Sequence, residues 1–384
     1  MVALQVANSR VTRWLIGVWL IVGLLIGCAP NATVPRQHRL AQLSAKLSEE
    51  GGYFPSDNLV SNEEGYQKVL NKLDELNVRG GVYIGVGPEQ NFTYIAQVRP
   101  TRAFILDIRY DNRLQHLLYK ALFLMARNRA EFLSLWLSRP LQLKHSWVKR
   151  ATIDELIAAI ERTAPSPAYY QANLKKVYAL IERRFGLPLT EQDRARLDFI
   201  YKSFYEPGLE IRYESHLRRD WRRFPTLKSL LLQTDRRGRR RAFLASEDDF
   251  QFLKQFQQRD RLVPVTGDFA GPKALRAIGD EVRRSGERVS VFYVSNVEFY
   301  LMQQNSFSTF VESVKSLPHD DRTLMIRSYL GFGHQHPETI PGHLLAMLLQ
   351  RMEKFIELAE AGRYRTYSDI GLLDYIPTRG NDTQ

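Results

Sequence analysis

A chain of 384 residues, 44% hydrophobic and 25% charged, has the composition of a globular protein and the length for one large domain or two ordinary ones, which excludes a disordered polypeptide. A formal net charge of +12 favours anionic partners such as phospholipid head groups or nucleotides, and equally fits a solvated basic face. Cys28 is the one cysteine, which excludes an intrachain disulfide.

The N-terminus carries Arg10 and Arg13 without an acidic residue, followed by the uncharged apolar run Trp14–Gly27 (WLIGVWLIVGLLIG). A basic flank and a short apolar core ending on a small residue make an export signal. The run is short for a membrane-spanning helix, which needs about 20 apolar residues. Its end, Leu25-Ile26-Gly27-Cys28, resembles the lipobox of bacterial lipoproteins. That resemblance implies a signal peptide over residues 1–27, a Cys28 thiol that carries diacylglycerol, and a mature chain anchored to a membrane on the exported side of the cell envelope. Two or three acyl chains hold a protein stably where one does not. Ala29, standing where an aspartate would retain the protein at the inner membrane, points to the outer membrane. Residues 28–50, opening on APNATVPR, are expected to form the lipidated tether.

Helical periodicity marks Arg39–Leu47 and Gly65–Leu76, where Tyr66, Val69, Leu70, Leu73 and Leu76 share a face; Gly80-Gly81 closes the second helix. Val82–Val86 (VYIGV) predicts a buried strand, Asn91–Gln97 the start of a helix, and Ala103–Ile108 (AFILDI) a second strand. Arg113–Ala126, Ile153–Arg162, Tyr170–Phe185 and Glu191–Ser203 read as helices, with breaks at Pro165, Pro167 and Pro188. The stretch from about 113 to 232 lacks strand signal and predicts a helical insertion. Leu230–Gln233 and Arg241–Ala245 can pair as a hairpin across Asp235–Gly238. Strand character returns at Leu262–Thr266, Val289–Val294 and Thr323–Ser328, and a last long helix is expected over His343–Ala361. Strands rich in Val, Ile and Phe, separated by helices, predict a mainly parallel, Rossmann-like α/β domain over residues 51–384.

The segment Gly80–Asp107 (GGVYIGVGPEQNFTYIAQVRPTRAFILD) runs strand, glycine turn, helix, strand and acidic residue. In dinucleotide-type sites glycines let the backbone approach the ligand, and an acidic residue about 20 positions on takes the ribose hydroxyls. Gly85, Gly87 and Asp107 satisfy that spacing, although Gln90 replaces the third glycine of G-x-G-x-x-G. A tight strand-to-helix turn with no ligand is an equally open reading. Further along, VTGDFAG places Asp268 after the third strand, and VFYVSNVEFY places Asn296, Glu298 and Tyr300 after the fourth.

In this order the segments resemble class I S-adenosylmethionine methyltransferases. The resemblance implies that Gly85 and Gly87 face the methionine end of the cofactor, Asp107 binds ribose and Asp268 sits near adenine. Asn296, with Glu298 and Tyr300, would face the reacting group. The chain departs from the pattern where Tyr83 and Ile84 precede the glycine turn in place of an acidic residue, and where Ser295-Asn296-Val297-Glu298 lacks the prolines of the amino-methylating branch. VYIGVGPEQNFTYIA, TGDFAGPKALRAIG and YVSNVEFYL together are similar to an uncharacterised family of bacterial proteins, some of them lipoproteins, with a methyltransferase-like fold and no established activity. That likeness covers roughly residues 51 to 330 and speaks for the fold more than for a reaction.

Two further clusters have two readings each. His334 and His336, close to Glu338, can hold a metal if a strand presents both rings to one side, or belong to an ordinary polar loop. The run Arg236-Arg237-Gly238-Arg239-Arg240-Arg241, with Arg218, Arg219, Arg222 and Arg223 upstream, can meet anionic lipid or another anionic ligand, or form a solvated tip. No Ser-His-Asp, catalytic cysteine or Walker motif is evident, and no nucleic-acid partner is expected. S-adenosylmethionine is made in the cytosol, which an exported domain leaves. The expectation is therefore an envelope-facing binding or scaffold protein, with its cleft outside the carboxyl ends of the strands at Gly87, Asp107, Asp268 and Asn296. The alternative is an S-adenosylmethionine-dependent methyltransferase or another nucleotide-using enzyme.

Overall fold

The computed structural model describes residues 36–142, 147, 150–216, 224–331 and 336–379. Cys28 and its apolar run, Arg218, Arg219, Arg222, Arg223 and His334 lie outside the described residues. Six strands form one sheet: β1 (Val82–Gly85), β2 (Arg102–Asp107), β3 (Leu262–Thr266), β4 (Val289–Ser295), β5 (Leu324–Leu330) and β6 (Leu345–Arg351). Their order is β3-β2-β1-β4-β5-β6, parallel throughout except for β6, which runs antiparallel to β5. Every residue of β1 and β3 is buried, as expected of parallel strands covered on both faces. The chain leaves β1 towards β2 on one side and returns to β4 on the other. The crevice between the ends of β1 and β4 is thus the topological switch point, where open α/β sheets bind ligands.

Ahead of the sheet lie α1 (Arg36–Leu47) and α2 (Leu70–Glu75), and α3 (Gln90–Val98) connects β1 to β2. Between β2 and β3 the described chain is helical: α4 (Tyr110–Met125), α5 (Arg129–Trp136), α6 (Ile153–Glu161), α7 (Pro167–Ala179), α8 (Glu191–Tyr205), α9 (Leu227–Leu231) and α10 (Glu247–Gln258). These helices run past the bounds of about 113–232 drawn from the sequence for the insertion, to Gln258, and they share the core of the sheet. Phe92 of α3 meets Phe123 of α4 at 5.2 Å between ring centroids, Phe123 meets Phe132 of α5 at 4.4 Å, and Trp136 meets Phe204 of α8 at 5.2 Å. Such ring contacts are worth about 0.5–1.5 kcal/mol each beyond their buried area. Thr152 with Glu155, and Thr190 with Asp193, close capping boxes on α6 and α8. The expected break at Pro165 and Pro167 separates α6 from α7, and Pro167 itself opens α7 behind the cap of Ser166, since the first helical position needs no N–H donor. After β3 come α11 (Ala274–Arg284), α12 (Val297–Gln303), α13 (Phe307–Lys315), α14 (Met352–Glu360) and α15 (Tyr367–Leu372).

Three expectations are corrected. The helix foreseen over His343–Ala361 is strand β6 followed by α14; LAMLLQR is buried along nearly its whole length, and in so short an apolar run periodicity does not separate strand from helix. The hairpin foreseen at Leu230–Gln233 reduces to one bridge, Thr234 to Arg240, because Thr226 caps α9 across Leu230 and Leu231. The tether drawn to residue 50 holds a docked helix. Leu40 and Leu47 of α1 are buried, the Ser44 hydroxyl donates to the Pro264 carbonyl at 2.5 Å, and Glu49 N–H donates to the Thr266 carbonyl at 3.0 Å. Covering edge strand β3 in this way removes an open template for aggregation. Among the described residues no helix is long and apolar enough to cross a membrane.

Candidate functional site

The turn after β1 is built by two glycines with different reasons. Gly87 has φ +80°, which an L side chain disfavours. At Gly85 an added Cβ would lie 2.1 Å from the Asn91 Oδ1. The space is taken by the protein itself: Asn91 accepts from the Tyr83 hydroxyl at 2.8 Å and donates to the carbonyls of Val86 and Pro88, both at 2.9 Å. Gly85 therefore lies beneath the turn, while Val86, Gly87 and Gln90 form the cleft wall.

That cleft, about 300 Å³, opens at the switch point, the lower end of the size range of small-molecule sites. Asp107 and Arg109 enter it from the end of β2, Asp268 and Phe269 from β3, and Ser295, Asn296, Val297 and Tyr300 from β4 and α12. The segment before α2 crosses it as a strap contributing Tyr53, Phe54, Asn58 and Asn62, and the insertion adds Tyr213. The strap is pinned where Gly52 N–H donates to the Ile108 carbonyl at 2.8 Å and His216 N–H donates to the Pro55 carbonyl at 2.9 Å. Four of the expected residues, Gly87, Asp107, Asp268 and Asn296, thus converge, and Tyr300 joins them.

Asp107 is not a free carboxylate. It is 3% exposed and accepts from the Arg109 backbone N–H at 2.9 Å, from Nε at 3.0 Å and from Nη2 at 2.7 Å. The remaining arm of Arg109 donates to the Asp57 carbonyl in the strap. Asp268 is half-buried and turns its Oδ1 onto the Ala270 N–H at 2.9 Å. Its own N–H, with those of Lys273 and Ala274, donates to the Glu49 carboxylate at 2.8–3.1 Å. The N-terminal end of α11 is therefore filled by a carboxylate of the chain.

Glu298 leaves the site. It is 1% exposed and receives Arg327 through Nε at 2.8 Å and Nη2 at 3.1 Å, while Arg327 also donates to Gln350 at 2.7 Å. Successive residues of a helix point about 100° apart. On α12 this puts Val297 and Tyr300 towards the cleft and Glu298 towards β5.

Behind the wall lies a buried polar layer that the sequence did not disclose. Burial pushes the Glu63 carboxyl up to about 7, against the hydroxyls of Ser295, Tyr293 and Ser328. It pushes Glu89 up to about 7 as well, opposed by backbone N–H groups and reinforced by Glu63. Burial also lowers His116 to about 4; its Nε2 meets the Gly87 carbonyl at 2.9 Å. Gln90 donates to the Tyr293 hydroxyl at 2.8 Å, and its Oε1 is buried without a partner among the described residues. Ser295, at φ +53°, donates to Glu63 Oε1 at 2.6 Å. The Ser-Asn-Val-Glu segment was the signal for Ser295; nothing local distinguished Glu63 from its neighbour Glu64.

The two remaining clusters hold the chain to itself. His336 is buried with Nε2 on the Gly371 carbonyl at 3.0 Å and Nδ1 accepting from the Glu338 N–H at 3.0 Å. Among the described residues no group of His, Cys, Asp and Glu is placed to hold a metal. All five arginines of the 236–241 run face carboxylates of the protein: Arg236 with Glu338, Arg237 with Glu75, Arg239 with Asp235, Arg240 with Asp154 and Arg241 with Asp74. The run ties α6 of the insertion to α2 and to the C-terminal segment.

No curated protein matches the chain. A protein family described as a domain of unknown function, DUF7790, matches residues 58–379 and so spans the strap from Asn58, the whole sheet and the insertion. The chain belongs to the DUF7790 family.

Proposed function

We propose that the protein is a lipid-anchored lipoprotein of the bacterial envelope whose cleft binds a neutral, hydroxylated ring ligand, such as a saccharide, and that it is not an S-adenosylmethionine-dependent methyltransferase. The observation that carries this reading is the Arg109 guanidinium on the Asp107 carboxylate. A carboxylate that receives three donors has little capacity left for a ribose diol, and the pair leaves that part of the cleft without net charge. Besides Asp268, the wall carries the amide side chains of Asn58, Asn62, Gln90 and Asn296 beside the rings of Phe54, Tyr213 and Tyr300. Amides donate and accept at once and suit ring hydroxyls, while aromatic faces cover the apolar side of a sugar. Gln90 Oε1 is buried without a hydrogen-bond partner among the described residues, and a buried acceptor left so costs about 1–3 kcal/mol.

For the anchor, radiolabelled palmitate is expected to enter the wild type and to be absent from Cys28→Ser; equal labelling of both would remove the lipoprotein reading. For the cleft, neutral mono- and disaccharides at millimolar concentration should raise the melting temperature of the full chain by a few degrees, an effect lost in Gln90→Ala. If none of a broad saccharide panel shifts the wild type, the ligand class is wrong.

A further inference from the structure

Ser295 closes β4 and passes the chain directly into α12 through Asn296. Its φ of +53° lies in the left-handed region that non-glycine residues seldom occupy. Residues held there without being glycine concentrate at functional sites, and a sharp strand-to-helix turn is a known way of exposing a nucleophilic hydroxyl at the carboxyl edge of a sheet. Ser295 lines the cleft, and its hydroxyl donates to Glu63 Oε1 at 2.6 Å. Glu63 itself is 1% exposed. Its position is set from behind: its N–H donates to the Ser61 hydroxyl, and the Ser61 N–H donates to Glu89, both at 3.2 Å.

We infer that Ser295 and Glu63 form a nucleophile and general-base pair that hydrolyses an ester in the cleft, an inference that rests on the cleft being a ligand site. Glu63 takes the hydroxyl proton as Ser295 Oγ bonds to the acyl carbon. The carbon–oxygen bond to the alcohol then breaks, and the departing oxygen takes that proton from Glu63. A water attacks the acyl-serine, passes one proton to Glu63, and the Ser295 oxygen recovers it as the carboxylic acid leaves. Ester and water go in; acid and alcohol come out. No histidine is required, because burial holds the Glu63 carboxyl at about 7, where a base is strong and still partly ionised at neutral pH. The titratable groups that bear on it are Glu89 at the head of α3, Tyr94 within α3, Tyr83 on β1 and Tyr293 on β4, with the Ser328 hydroxyl of β5. Burial disfavours its charge, against the hydroxyls of Ser295, Tyr293 and Ser328, so the ionised working form predominates above about pH 7.

The test is a fluorophosphonate probe on the full chain, with folding checked by circular dichroism and the modified residue located by peptide mass. Stoichiometric labelling is expected at Ser295, absent in Ser295→Ala, slowed at least tenfold in Glu63→Gln, and rising with pH through a midpoint near 7. Glu63→Gln retains a side chain of the same shape, so a merely structural contact would leave the rate and its pH profile unchanged. No labelling of folded wild type, labelling at another residue, or a rate independent of pH and of Glu63 would overturn the inference. Saccharide binding without labelling defeats the esterase and leaves the binding reading; labelling without saccharide binding supports the pair and removes saccharides as the ligand class.

Discussion

Replacing Asp107 by alanine is expected to destabilise the protein by about 3–5 kcal/mol, the range for removing one partner of a buried ion pair. Both side chains are nearly out of solvent, at 4% exposure for Asp107 and 7% for Arg109. The substitution would leave the guanidinium buried with the Asp57 carbonyl as its remaining acceptor from the pair's surroundings. The cost comes from the uncompensated charge rather than from the net value of the pair, so the double replacement Asp107→Leu with Arg109→Met should recover most of it. Urea unfolding of the two variants against wild type measures both quantities. A loss under 1 kcal/mol for Asp107→Ala would mean that the carboxylate is available to a ligand after all. This prediction separates two roles that an acidic residue at the end of β2 can have: the ribose-binding group implied by the spacing, and the anchor of a neighbouring arginine seen in the structure.

The difference between those roles marks how far the residues could be read from the chain alone. Strands β1 to β5 were foreseen to within two residues at either end, because each is an apolar run bounded by glycine, proline or charge, and period and composition agree. The placing of Gly87, Asp107, Asp268 and Asn296 at one crevice followed from strand order, which parallel connections restrict to few arrangements. What escaped depends on partners distant in sequence. Arg109 stands two residues after Asp107 and was legible as a charge, but not as the group that folds back onto it. Glu49 looked like part of a tether and instead sits on the N-terminal end of α11, 225 positions from Ala274. The arginine run offered a site for anionic lipid or another anionic ligand, or a solvated tip; neither view could see Asp74, Asp154 and Glu338 brought to it by other elements. β6 escaped because a buried run of seven residues carries no usable period.

S-adenosylmethionine is expected to bind the protein more weakly than about 1 mM. The cofactor offers an ammonium, a carboxylate, a sulfonium and a ribose diol, and tight binding requires a partner for each. The acidic group that would meet the ammonium ahead of the glycine turn is replaced by Tyr83 and Ile84, both fully buried in β1. The group that would meet the diol is held by Arg109. Gln90 brings a side chain to the place of a small residue, where it donates to Tyr293. Losing two charge-assisted contacts weakens binding by roughly two to four powers of ten, at about 1.4 kcal/mol per power. Isothermal titration of the full chain with S-adenosylmethionine tests this most directly. The account predicts no saturable heat up to millimolar cofactor. A dissociation constant in the low micromolar range, lost in Asp107→Asn while the variant stays folded, would contradict it and restore the methyltransferase.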